Sequence, residues 1–204
     1  MKLALFGATG ATGQAIQQLA KLFGCELSMH SRQPGLEGAV VGEIADVADE
    51  VLAGCEAVVI CLGARRPYTD VFLADATTHI VEACKRQGVQ RLICVTGALA
   101  GEYPSNQGKA FRWVTKTIFP STKATLADKA AQEAIVKNSG LNWTIIKPPR
   151  LTDNTRQQHY IAGSTIHCGL FSSISRRTLA YDIGKCINNE ATFQMVRFIK
   201  SIKD

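Results

Sequence analysis

Short apolar runs alternate with amphipathic runs along almost the whole chain. Runs at residues 3–6, 25–30, 39–42, 57–62, 90–96, 141–147 and 193–199 predict strands. The run Ala57-Val58-Val59-Ile60-Cys61-Leu62 is apolar at every position, as a strand buried on both faces must be. Between the strands, amphipathic stretches at 15–22, 46–53, 70–87, 121–139 and 179–188 predict helices. The stretch 70–87 sets Val71, Ala74, Ile80, Val81 and Cys84 on one stripe and stops at Gly88, while 121–139 starts at a Ser121 or Thr122 cap and stops at Gly140. Asp46 is placed to cap the helix 46–53. Strand alternating with helix implies an α/β fold with a doubly wound parallel sheet. A length of 204 residues suits a single domain over 1–204. Two segments break the rhythm. Residues 98–121 show no clean period, and 150–175 are loosely patterned, with a strand expected near 164–168.

The first strand runs straight into Gly7-Ala8-Thr9-Gly10-Ala11-Thr12-Gly13, and a helix opens behind it. Strand, glycine turn and helix together form the context in which such a motif signals a dinucleotide site. One glycine makes the tight turn, one lets a pyrophosphate approach the backbone, and one lets helix and strand pack closely. Thr9 and Thr12 add hydroxyl donors, and the helix points free N–H groups at the phosphates. A P-loop is excluded, because Gln14 stands where G-K-[ST] would be required.

Composition and charge narrow the picture without changing it. Hydrophobic content of 46% and charged content of 20% are those of a soluble globular chain. The apolar opening stops at Gly7, too early for a signal peptide, and no apolar run has the length of a membrane span. The seven cysteines form no C-x-x-C pair and read as reduced core thiols of a cytoplasmic protein; the four histidines have no metal spacing. The net charge of +6 suits an anionic cofactor or substrate, and the scattered Lys and Arg residues carry no nucleic-acid-binding motif.

The second strand ends in His30-Ser31-Arg32. NAD enzymes place an acid about 20 residues after the glycine motif, to hold the ribose 2′-hydroxyl. Here there is none, and Arg32 suits a 2′-phosphate, so the expected cofactor is NADPH. Glu43 and Ile44, after the third strand, are candidates to border the adenine, and a plain loop is the competing reading. Leu62, Gly63, Ala64 and Arg65 after the fourth strand, Thr96 and Gly97 after the fifth, and Pro148 and Pro149 after the sixth complete the expected cofactor set. In 98–121, Tyr103, Phe111, Trp113 and Phe119 interleave with Lys109, Arg112 and Lys116, a composition suited either to covering a flat acidic molecule or to anchoring a loop.

The glycine motif, Leu62-Gly63-Ala64-Arg65 and the run from Ser139 to Pro149 resemble the atypical short-chain dehydrogenases. With Ile174-Ser175-Arg176 and Asp182-Ile183-Gly184, the chain is most similar to the flavin reductase and biliverdin IXβ reductase group among them. The resemblance implies a Rossmann fold and NADPH-dependent hydride transfer to a flavin, a bilin or a related conjugated acceptor. It also makes Lys129 the equivalent of the family lysine that touches the nicotinamide ribose. Thr125, four residues earlier, then stands where the tyrosine acid of classical members would sit. Biliverdin-reducing members carry a serine and a histidine where this chain has Gly97 and Arg150, which puts bilin specificity in doubt.

Tyr181 and Lys185 match the Y-x-x-x-K of classical members, but in the wrong helix. Without a tyrosine acid, the chemistry favours an acceptor that spreads charge over a conjugated system. Arg150 is the expected anchor for an acidic group of that acceptor. The expected partner is a flat, acidic small molecule, with the chain a monomer or weak dimer that binds neither nucleic acid nor membrane. Two other classes remain open: a non-catalytic NADP(H)-sensing regulator like the NmrA relatives, and a sugar-nucleotide epimerase relative.

Overall fold

The computed structural model describes residues 1–63, 71–101 and 123–202. Eight strands form one sheet in the order β3-β2-β1-β4-β5-β6-β10-β8. Seven run parallel: β1 (Lys2–Phe6), β2 (Glu26–Ser31), β3 (Ala39–Val41), β4 (Ala57–Ile60), β5 (Arg91–Val95), β6 (Asn142–Lys147) and β10 (Met195–Ser201). The edge strand β8 (Tyr160–Gly163) is antiparallel to β10, with Phe198 opposite Gly163.

The alternation along each strand explains the double winding. In β1, Ala4 and Phe6 join one core with Val58 and Ile60 of β4, and Leu3 and Leu5 join a second core with Val59. The first core is covered by α2 (Ile44–Leu52), α3 (Leu73–Gln87) and α4 (Lys123–Lys137), through Val51, Ile80 and Val136. The second is covered by α1 (Ala11–Ala20) and α5 (Arg176–Ile187), through Ile16, Leu19, Leu179 and Ile183. Apolar residues on both faces bury the sheet on both sides, each Leu or Ile contributing about 1.5–3 kcal/mol. No helix among the described residues is long and apolar enough to cross a membrane.

The α/β doubly wound architecture is the expected one, with four local corrections. The strand expected at 164–168 lies earlier, at Tyr160–Gly163; Ile166 and Cys168 are instead loop residues packed beside Ala98 and Phe198. The same segment holds an unexpected second sheet, in which β7 (Arg150–Thr152) pairs in parallel with β9 (Ser173–Ser175). Helix α1 begins inside the glycine motif and gives way after Ala20 to a 3-10 turn, Lys21–Phe23, leaving Leu22 exposed. Helix α2 begins at Ile44 with Glu43 as its N-cap residue, so Asp46 lies within the first turn rather than at the cap.

Candidate functional site

The chain turns as soon as β1 ends. Gly7 has φ +94°, and a Cβ there would lie 2.7 Å from the Cys61 carbonyl oxygen. A Cβ on Gly13 would lie 2.8 Å from Ala8 Cα, so this glycine lets α1 pack onto the turn. Gly10 differs. It is extended, at φ −76° and ψ 158°, and a Cβ on it would meet only the Gly7 carbonyl oxygen, at 3.3 Å. It precedes α1, which has neither a side-chain cap nor an acid in its first turn. The first N–H groups of that helix and the positive end of its dipole therefore face outward without an internal anion. Gln17 Nε2 donates to the Ala8 carbonyl at 2.8 Å and Gln14 Nε2 to the Thr9 carbonyl at 3.3 Å, holding the turn in place.

A cleft of about 610 Å³ opens over this turn, along the carboxyl ends of the strands. Its wall at β2 is set by local chemistry. Ser31 is buried, donates from Oγ to the Gln33 carbonyl at 2.6 Å and so tightens the bend that turns Arg32 outward. His30 is buried beneath, its Nε2 2.9 Å from the Gly42 carbonyl, and burial pushes its pKa down, which keeps the ring neutral. Arg32 lies over the Phe72 ring at 5.5 Å and lines both the cleft and a second cavity of about 860 Å³ that runs over Gln14, Gln33 and Leu36. Phe72 is itself fixed from a distance. Asp128 of α4 accepts from the N–H groups of Phe72, Leu73 and Ala74 at 2.9, 2.8 and 2.9 Å, capping α3 from another helix.

Glu43, Ile44, Leu62 and Gly63 also line the cleft, together with Gly7, Thr9, Gly10, Ala11 and Thr12, while Gly13 supports the turn from within. Cys61 lines it too, with a neutral thiol: burial pushes its pKa to about 12, and Sγ donates to the Phe6 carbonyl at 3.3 Å. Further along the same sheet edge, outside this lining, Lys129 Nζ donates to the Thr96 carbonyl at 3.1 Å and lies beside Gly97. Burial lowers its pKa. Thr125 is buried one turn before it. Thr96 Oγ1 donates to Glu133 Oε1 at 2.7 Å, and Glu133 pairs with the fully buried Lys147 at 2.7 Å. Lys147 also donates to the Ala100 carbonyl, so one buried network ties α4 to the ends of β5 and β6. Pro148 accepts from Ala98 N at 2.8 Å, Pro149 is half-buried, and Arg150 is exposed at the start of β7.

Sequence reasoning missed part of the cleft. Phe72, Asp75, His79, Leu151 and Arg176 all line it. Arg176, the first residue of α5, pairs with Asp153. Of the two arginines at the ribbon, the structure puts Arg176 in the cleft wall, beside Arg32, while Arg150 is not part of that wall. Ala64 and Arg65 lie outside the described residues, as do the aromatic and cationic residues expected to act from 102–121. Tyr181 packs on Phe23 at 5.6 Å, beyond the far end of α1, and Lys185 lies over its ring at 5.9 Å. This pair is remote from the glycine turn, as its place in the sequence implies.

Residues 7–190 match the NAD(P)H-binding family. The chain belongs to that family. It is 27% identical to an uncharacterised chloroplastic protein of Arabidopsis thaliana, over 97% of this chain and 76% of that protein. Among solved structures it is similar to a proposed NADH-flavin reductase of Streptococcus pneumoniae, with a TM-score of 0.75 at 20% identity over 99% of this chain and 100% of that one. A short-chain dehydrogenase/reductase of Veillonella parvula gives a TM-score of 0.75 at 18% identity, over 98% and 94% of the two chains. These likenesses establish the Rossmann fold, and the family establishes a nicotinamide cofactor. The Arabidopsis relative is chloroplastic, so family membership does not carry the cytoplasmic location expected from composition.

Proposed function

We propose that this protein is an NADPH-dependent reductase that passes hydride to a flat conjugated acceptor such as a flavin. The observation that carries the reading is the tip of β2. Arg32 stands between two cavities beside an uncapped helix N-terminus, and His30-Ser31-Arg32-Gln33 contains no carboxylate to hold a ribose 2′-hydroxyl. A guanidinium there suits a 2′-phosphate by charge and by its forked donors. The open N–H groups at the start of α1 suit a pyrophosphate, and Gly10 leaves it room. Ile44 supplies an apolar contact for the adenine and Glu43 an acceptor for its amine. The cofactor, when bound, supplies a hydride. The chain's own residues supply position: Lys129 and the Thr96 carbonyl order the far end of the sheet edge, and Arg176 adds positive charge to the cleft.

Thr125 is buried where a tyrosine acid would be expected, and Tyr181 is remote. An acceptor that delocalises charge needs no such acid, because solvent can deliver the proton. The test is steady-state turnover of the purified protein with NADPH or NADH against FMN, riboflavin, biliverdin, quinones and an aliphatic ketone. We expect a preference for NADPH and turnover with flat conjugated acceptors. Preference for the ketone would overturn the acceptor assignment. Tight NADPH binding with no turnover on any acceptor would favour a cofactor-sensing regulator.

A further inference from the structure

Arg176 and Asp153 meet where the β7–β9 ribbon ends. Leu151 pairs with Ile174 and Thr152 with Ser175, so Asp153 and Arg176 come next in register. From there the chain enters α5, and the entry is fixed. Ser175 Oγ caps the helix by accepting from Thr178 N at 3.1 Å, and Ser175 N donates to Gln158 Oε1 at 2.7 Å. Arg176 lines the cofactor cleft, whereas Asp153, its ion-pair partner, is not part of the lining. The Arg176 side chain is 25% exposed and that of Asp153 84%.

The charge at the start of α5 runs against the stability of that helix. Its first turn carries Arg176 and Arg177 and no acid, although the positive end of the helix dipole disfavours cations there. The start of α1 lies on the same side of the molecule. Helix α1 follows β1 and α5 leads into β10, both strands of the parallel set, so both helices begin at the carboxyl edge of the sheet. They pack together, with Ile16 and Leu19 of α1 in one core with Leu179 and Ile183 of α5. Helix α1 has no acid in its first turn either. Two positive helix ends and the Arg176 guanidinium therefore converge on one cleft, whose wall also holds Thr9, Gly10, Ala11 and Thr12. The carboxylate that answers Arg176 is Asp153, on a side chain that stands mostly in water.

We propose that Arg176 is a clamp for the cofactor pyrophosphate and that Asp153 is its stand-in anion. The guanidinium rests on Asp153 and passes to the pyrophosphate when the dinucleotide lies over Gly10. An exposed ion pair is weak enough to exchange, and the guanidinium fork matches two phosphate oxygens. The clamp rests on the pyrophosphate placement given above and not on hydride transfer. Calorimetric titrations of NADP⁺ and NAD⁺ into wild type, Arg176→Ala, Arg176→Lys, Asp153→Asn and the Arg176→Ala/Asp153→Asn double variant test it. Arg176→Ala should weaken both dinucleotides by one factor, roughly ten- to a hundredfold, because both carry the pyrophosphate; Arg176→Lys should recover part of the loss. Asp153→Asn should tighten both about two- to fivefold, the scale of one exposed ion pair, because it frees Arg176 and removes a like charge from the phosphates. Most of that gain should vanish in the double variant. Unchanged affinity in Arg176→Ala overturns the clamp, and unchanged affinity in Gly10→Val as well, or no binding by wild type, overturns the pyrophosphate placement with it. A loss confined to NADP⁺ would put Arg176 on the 2′-phosphate, and weaker binding in Asp153→Asn would make Asp153 a support for the cation; either overturns the proposal. If the shifts appear but no acceptor is ever reduced, the clamp stands and the reductase reading falls.

Discussion

Gly10 and Gly13 sit one turn apart and do different things. Gly13 is wedged against the Ala8 backbone, so Gly13→Ala overpacks the junction of α1 and the turn. The expected cost is about 2 kcal/mol, read as a Tm roughly 4–8 °C lower in a chain of this size. Gly10 has an ordinary extended backbone and only one near neighbour. Gly10→Val should melt close to wild type yet lose NADPH binding, because its side chain fills the space above the helix N-terminus. Unchanged cofactor affinity in a folded Gly10→Val would contradict the placement of the pyrophosphate. At β2, Arg32→Ala should weaken NADPH roughly ten- to a hundredfold and NADH little, the scale of one charge-assisted contact. Equal losses for both cofactors in a calorimetric titration would remove Arg32 from the 2′-phosphate. That Gly10 and Arg32 line one cleft was legible because turn chemistry and the strand tip are local in sequence. Arg176 was not legible as a cleft residue, since its place depends on a ribbon formed by segments more than twenty residues apart.

At the scale of elements, α3 depends on an acid that it does not contain. Asp128 takes three N–H groups at the start of that helix, and no pattern in the sequence distinguishes it from an ordinary acid on α4. Asp128→Ala should cost about 2 kcal/mol, because buried donors are left without partners. It should also weaken NADPH through the loosened Phe72 beneath Arg32, and Asp128→Asn should recover part of both losses. Denaturant melts and cofactor titrations of the two variants check this; an unaltered melt would show that water replaces the cap. The Tyr181–Lys185 pair belongs to the packing of α5 near Phe23. Tyr181→Phe should turn over near wild type, whereas a loss of about a thousandfold, the scale of a missing general acid, would contradict its exclusion. Buried central strands were readable as continuous apolar runs. The edge strand β8 was not, because Ile161 is partly exposed there while Ile166 and Cys168 are packed without being in a strand.

For the whole molecule, the winding of helices over both faces of the sheet gathers every strand-end loop of the parallel strands on one edge. Cleft-lining residues drawn from the ends of β1, β2 and β4 and from the ribbon therefore meet although they are scattered through the chain. That convergence was legible from the alternation of strand and helix. The buried Lys147–Glu133 pair was not, since a lysine ending a strand reads as a solvated residue until the fold places Glu133 against it. The net charge of +6 gives the molecule an overall attraction for anions, a dinucleotide cofactor among them. Hydride transfer from NADPH to a flat acceptor, as proposed, is directly observable in a single turnover. Protein saturated with NADPH is mixed anaerobically with FMN, and the absorbances of reduced nicotinamide and oxidised flavin are followed together. Both should fall at one rate, faster than in protein-free solution and much slower in Gly10→Val. Nicotinamide absorbance that stays constant while FMN is bound would contradict it.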